Sequence, residues 1–141
     1  MIVLDTNVIS ELAQPEPAPE VVDWVDKQDA EQIFVTSVTI GELLYSLVHM
    51  PAGKRRASLL ERLSPLLDDL FDGQSLEYTG RAAVEYAKLV ASRHQRGRPI
   101  TTSDAQIAAI CRVHGADLAT RNVRDFVETG VQVINPWTNV I

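Results

Sequence analysis

The feature that most constrains this chain is an alternation. Short apolar, often β-branched runs are each followed by a longer stretch with helical spacing. Met1–Leu4, Ile33–Thr36, Leu76–Tyr78, Ala116–Thr120 and Val131–Ile134 read as strands. Helices are expected over Asn7–Ala13, stopped by Pro15 and Pro17, and over Pro19–Lys27. A further stripe runs through Ile40, Leu43, Leu44, Leu47 and Val48. Lys54–Phe71 carries leucines at helical spacing, with Ser64-Pro65 as a point where a new helix would start. Helices over Arg81–His94 and Ser103–His114 follow, the second closed by Gly115. Strands that alternate with helices pair in parallel, because each crossover has a helix to lay on the sheet. In such sheets functional groups collect beyond the carboxyl ends of the strands.

Four stretches place a carboxylate where a strand hands over to a helix or turn. They are Leu4-Asp5-Thr6-Asn7, Thr39-Ile40-Gly41-Glu42, Thr101-Thr102-Ser103-Asp104 and Thr120-Arg121-Asn122-Val123-Arg124-Asp125. Each acid also has an ordinary reading. Asp5 fits an N-cap or Asx-turn. Glu42 fits a capping box that reaches back to the Thr39 amide. Asp125 fits an exposed loop. Asp104 is harder to explain locally, because it heads a helix face with Ile107, Ala108 and Cys111. A carboxylate there is costly unless it is paired or binds metal.

With 141 residues the chain is long enough for one domain, expected over 1–141. The single cysteine, Cys111, excludes a disulfide framework. The N-terminus opens on a strand without a signal-peptide pattern, and no apolar run reaches membrane-spanning length, so a cytoplasmic protein is expected. The net charge of −6 argues against a simple polyanion binder. Its distribution is uneven: residues 1–50 hold nine acids and one base, residues 51–141 twelve bases and ten acids. Lys54-Arg55-Arg56, then Arg93, Arg96 and Arg98, then Arg121 and Arg124, form basic clusters. These read either as solvated helix surface or as a cationic rim for phosphates.

If the fold gathers the acids, they form a set of hard oxygen ligands suited to Mg²⁺ or Mn²⁺. The histidines (His49, His94, His114) lack ligand spacing, which disfavours zinc. Crowded carboxylates would have raised pKa values until a cation arrives. No Ser-His-Asp or Cys-His arrangement and no phosphate-binding glycine loop is visible. Direct attack by water on a phosphodiester, with no covalent intermediate, is therefore expected.

Taken in order, these segments resemble PIN-domain ribonucleases, specifically VapC-type toxins of bacterial type II toxin–antitoxin modules. The resemblance rests on Val3-Leu4-Asp5-Thr6-Asn7, on Glu42 opening a helix, on Ser103-Asp104-Ala105-Gln106-Ile107-Ala108-Ala109, and on Ala119-Thr120-Arg121-Asn122 with Asp125-Phe126. It spans nearly the whole chain, and the ending Asn135-Pro136-Trp137 is similar to the FitB subgroup. The resemblance implies a three-layer α/β/α sandwich with a central, mainly parallel sheet. It also implies a Mg²⁺-dependent endoribonuclease and a homodimer. A small antitoxin would carry a DNA-binding domain, and contact with operator DNA would run only through that partner. Carried over by position, Asp5, Glu42, Asp104 and Asp125 are the catalytic acids, with Asp5 and Asp104 as direct metal ligands. The fourth position is open between Asn122 and Asp125. Thr6, Asn7, Thr120, Arg121 and Asn122 would orient the acids or face the groove. The helices around Val21–Val25 and Leu59–Leu70 are candidate dimer surfaces.

Two readings from other classes stand beside this one. An inactive scaffold would bind RNA or a protein without turnover. A haloacid-dehalogenase-type phosphatase is prompted by Asp5-Thr6-Asn7, but that chemistry usually wants an aspartate where this chain has Asn7.

Overall fold

The computed structural model describes residues 1–138, so the domain expected over 1–141 extends past the described residues. Its elements run β1 (Ile2–Leu4), α1 (Thr6–Leu12), α2 (Pro19–Asp26), β2 (Ile33–Thr36), α3 (Ser37–His49), α4 (Lys54–Phe71), β3 (Ser75–Leu76), α5 (Gly80–Gln95), α6 (Thr102–His114), β4 (Asp117–Ala119) and β5 (Val133–Ile134). The strands form one sheet in the order β3-β2-β1-β4-β5, and every pairing is parallel. Ile2 lies opposite both Ile33 of β2 and Asp117 of β4, which aligns the strand ends along a common edge.

Side-chain alternation along each short strand divides the core in two. Val3 and Leu118 point to one face, where Leu89 of α5 and Ile107, Ala108 and Cys111 of α6 cover them. Leu4, Val35 and Ala119 point to the other, against Val8 and Ile9 of α1, Val21 and Trp24 of α2, Leu43 of α3 and Leu63 and Leu67 of α4. The result is the expected α/β/α sandwich. Small residues at Ala105, Ala108 and Ala109, all fully buried, let α6 approach closely. Its C-terminus is closed by Gly115 at φ 62°, a left-handed conformation that suits glycine.

Several expectations change. Pro65 does not split the leucine-rich segment; α4 is continuous from Lys54 to Phe71. Pro65 lies on the exposed side, so the carbonyl one turn back that loses its N–H partner, that of exposed Glu61, is left to water. The stripes at Val21–Val25 and Leu59–Leu70 supply core residues, while Leu60 stays exposed. On α3, Leu44, Tyr45 and Val48 are exposed together; Leu60 and Phe71 of α4 and Val84 of α5 are exposed as well. Arg93 is not part of a surface rim. It is buried, and its guanidinium donates to the carbonyls of Arg98 at 2.7 Å, Pro99 at 3.5 Å and Val127. Arg96 pairs with Glu128 at 3.4 Å. Arg93 and Arg96 at the end of α5 therefore hold the loop at Val127 and Glu128 in place.

Candidate active site

The chain passes from β1 outward to β2 and β3, then returns to lay β4 and β5 on the other side of β1. That reversal opens a crevice between the carboxyl ends of β1 and β4. Asp5 and Thr120 are the first residues past those two ends. The Asp5 amide donates to the Ala119 carbonyl at 2.9 Å, and the Thr120 amide to the Ile134 carbonyl at 2.9 Å, so both positions are fixed by sheet-like bonds.

Asp5 is only 3% exposed. It does cap α1: the Thr6 amide donates to its Oδ1 at 2.8 Å. The cap uses one oxygen. The other, Oδ2, accepts from the Thr120 hydroxyl at 2.7 Å and from Asn7 Nδ2 at 3.3 Å. Asn7 in turn donates to Thr120 Oγ1 at 3.1 Å and accepts the Arg121 amide at 3.1 Å, while the Asn122 amide donates to Thr120 Oγ1 at 3.0 Å. Thr6, Asn7 and Thr120 thus all bond Asp5; Thr120, expected at the groove, is fully buried and does not line the cavity.

Glu42 is not a capping-box residue. The helix starts one turn earlier, capped by Thr36, whose hydroxyl accepts the Thr39 amide at 3.1 Å. That amide is therefore unavailable to Glu42, which turns across to α1. Its Oε1 accepts the Thr6 hydroxyl at 2.7 Å. Thr36, Thr39 and Thr6 form a run of hydroxyl contacts, at 3.3 and 3.2 Å, from β2 to this carboxylate. Asp104 sits in the first turn of α6, where Thr101 caps its amide at 3.2 Å. The apolar face behind it is fully buried at Ile107, Ala108 and Cys111.

Asp5, Thr6, Asn7, Glu42, Asp104, Arg121 and Asn122 all line one cavity of about 450 Å³. Asp125 does not line it; it is exposed on a 3-10 turn over Val123–Phe126. Its charge still reaches the site, raising the pKa values of Asp5 and Asp104. Of the two candidates for the fourth position, Asn122 lines the cavity and Asp125 lies close enough for its charge to be felt there. Local patterns missed Ser10, Glu11, Gln14 and Trp137 as lining residues. A signal for the first three was present, since Asn7, Ser10, Glu11 and Gln14 share one helix face by spacing. Glu11 also accepts the Ala18 amide at 3.1 Å, fixing the entry to α2.

No ion pair among the described residues engages Asp5, Glu42, Asp104 or Asp125. The acids therefore crowd one another uncompensated. Burial raises the pKa of Asp5, opposed by the Thr120 and Thr6 hydrogen bonds and reinforced by Glu42 and Asp125. Burial, then the charge of Asp5, pushes Asp104 up to about 6. Burial likewise pushes the Cys111 thiol up to about 12, so it is inert packing. Among the described residues no group of three or more acids, histidines or cysteines closes tightly enough to enclose an ion.

The PIN domain family matches residues 2–131. The chain belongs to the PIN-domain family. This PIN domain is 41% identical over 137 residues to the VapC ribonuclease Y4jK of Sinorhizobium fredii, covering 97% of this chain and 98% of that protein. It is 36% identical to toxin FitB of Neisseria gonorrhoeae over 97% of this chain and 99% of that one. The PIN domain superposes on the structure of FitAB bound to an IR36 DNA fragment with a TM-score of 0.91, at 33% identity, covering 100% of this chain and 99% of that chain.

Proposed function

We propose that this PIN domain is a divalent-metal-dependent endoribonuclease that acts as the toxin of a toxin–antitoxin pair. The observation that carries this reading is the carboxylate cluster at the sheet's switch point, with Asp5 buried and no ion pair to any of its acids among the described residues. The similarity to proteins named VapC ribonuclease and toxin FitB supports it. Asp5 and Asp104 would hold Mg²⁺ or Mn²⁺. When bound, such a cation lowers the pKa of water and offsets charge on phosphoryl oxygens.

The chain's own residues do the positioning. Thr120, Asn7 and the Thr6 amide lock the Asp5 carboxylate, so no reorganisation is needed when substrate arrives. The Thr6 hydroxyl fixes one oxygen of Glu42, and the other takes no hydrogen bond among the described residues. That free oxygen can orient an attacking water and take its proton. Asn122 offers a neutral group on the same wall without adding to the repulsion.

As a toxin, the protein would be held inactive by a small antitoxin with a DNA-binding domain, and would meet operator DNA only through it. A homodimer fits the uncovered Leu44, Tyr45 and Val48 on α3. No helix among the described residues is long and apolar enough to cross a membrane. We place the protein in the cytoplasm, where its RNA substrate is.

The test is cleavage of total cellular RNA by the purified protein. Cleavage should require Mg²⁺ or Mn²⁺, stop on EDTA and disappear in Asp5→Asn with Asp104→Asn. Retention of RNA without turnover in either metal would replace the enzyme by a binding scaffold.

A further inference from the structure

Arg121 is seated unusually for a cation at an acidic pocket. Its backbone N–H donates to Asn7 Oδ1 at 3.1 Å, which ties it to the bonds that orient Asp5. Its side chain does not fall onto a carboxylate: no ion pair among the described residues engages it. Its guanidinium carbon stands 5.0 Å from the centre of the Trp137 ring instead. An indole face attracts a guanidinium and favours its placement over the ring. Trp137 is itself anchored. Its backbone N–H donates to Asn135 Oδ1 at 3.0 Å, Asn135 directly follows β5, and Pro136 between them is buried. Both Arg121 and Trp137 line the cavity that Asp5, Glu42 and Asp104 share.

Arg121 therefore presents planar donors, unclaimed by any carboxylate, beside a cluster of negative charge. A polyanion meets net repulsion from a chain of charge −6 and from these acids in particular. A pre-oriented guanidinium offsets that repulsion where the strand must lie, and its fork geometry matches the oxygens of a phosphate. Resting on the nuclease reading above, we propose that Arg121 and Trp137 form a positioning clamp, in which the indole holds the guanidinium for a phosphate flanking the one that is cut. Arg121 binds the RNA backbone, and Trp137 keeps Arg121 from collapsing onto the acids. Neither takes part in bond breaking.

The clamp is tested by fluorescence anisotropy with a short, labelled single-stranded RNA of mixed sequence. An Asp104→Asn background keeps the RNA intact, and binding is read over a range of salt concentrations. Arg121→Ala should weaken binding by about tenfold and reduce the slope of log affinity against log salt by about 0.7, the loss of one phosphate contact on a single strand. Trp137→Leu removes no charge, yet it should also weaken binding and reduce the slope, because Arg121 then pairs with a carboxylate. Arg121→Lys should keep the slope and lose affinity. In the otherwise wild-type chain, Arg121→Ala should raise KM more than it lowers kcat, at an unchanged melting temperature.

Arg121→Ala binding with wild-type affinity and slope would overturn the clamp, as would a Trp137→Leu slope equal to wild type. If those variants instead lose affinity for a protein antitoxin while keeping RNA, the pair is a protein-docking surface and the proposal falls. The two readings separate cleanly. Cleavage with unaltered RNA binding in the variants removes the clamp alone. Clamp-dependent binding without cleavage removes the nuclease alone. No RNA binding by any form removes both.

Discussion

The two edges of the one parallel sheet differ in how Glu85 and the acids around Asp5 are held. At the amino edge, before β4 and β5, Glu85, Arg112 and Asp117 line a polar cavity, and Arg112 pairs with Glu85 at 2.9 Å. Lys88 adds a second contact to Glu85 at 3.7 Å, and Arg112 donates to the Thr129 carbonyl at 3.3 Å. At the carboxyl edge, Asp5, Glu42 and Asp104 share a cavity of similar polarity but pair with no cation among the described residues. The same residue type is tied by a cation at one edge and held only by neutral donors at the other. Carboxylates crowded without a counter-charge weaken a fold, and under the proposed function a bound cation would relieve that cost.

This contrast can be broken by exchange. Asp5→Asn should reduce RNA cleavage by more than about 100-fold, beyond the range of an outer partner. It should leave the metal-free melting temperature unchanged or raised, since it removes buried charge. Arg112→Met should do the reverse, keeping cleavage while lowering stability by about 1–2 kcal/mol, between an exposed and a buried pair. A large loss of stability in Asp5→Asn, read by thermal denaturation, would put the acid in the structural class with Glu85.

Thr120→Val comes next in size. It removes the 2.7 Å bond to Asp5 without removing a carboxylate. Steady-state kinetics should show a loss of about 10–100-fold, as for other partners that orient a ligand. An unchanged rate would show that Asp5 needs no such orientation.

The smallest effect is on pH dependence. Asp104 has a pKa of about 6 in the folded chain against 3.8 ordinarily, so between those values the folded state holds a proton that the unfolded state has released. The stability this contributes is full below about pH 4 and lost as pH rises through about 6. Metal-free protein should therefore melt higher at about pH 5 than at about pH 7, and Asp104→Asn should flatten that difference. With Mg²⁺ present the trend should reverse, because the cation takes the ionised form. A metal-free profile that is as steep in Asp104→Asn would place the titration elsewhere.

Much of this site was legible in the sequence because its main determinants are local. A strand that ends at Leu4 puts Asp5 at the sheet edge whatever surrounds it, and the apolar face behind Asp104 follows from helical spacing alone. What was not legible depends on competition between distant groups. Thr36 and Thr39 are both good caps, and only the true start of α3 shows that Thr36 wins and frees Glu42 for Thr6. Arg93, Arg96 and Arg98 look alike in sequence, but the carbonyls that Arg93 reaches belong to a loop more than thirty residues away as well as to its own neighbours. The Arg121–Trp137 contact joins β4 and β5 across their ends and leaves no periodic trace. That Asn122 lines the cavity and Asp125 sits on a 3-10 turn outside its lining also has no local signal.

The unpaired edge is tested most directly by titrating metal-free protein with Mn²⁺ and counting bound ions by electron paramagnetic resonance. Wild-type protein should bind Mn²⁺ saturably, in competition with Mg²⁺, while Asp5→Asn with Asp104→Asn should bind none and Arg112→Met should bind as wild type. Equal binding by wild type and the double variant, or none by either, would contradict a cation site at the carboxyl edge.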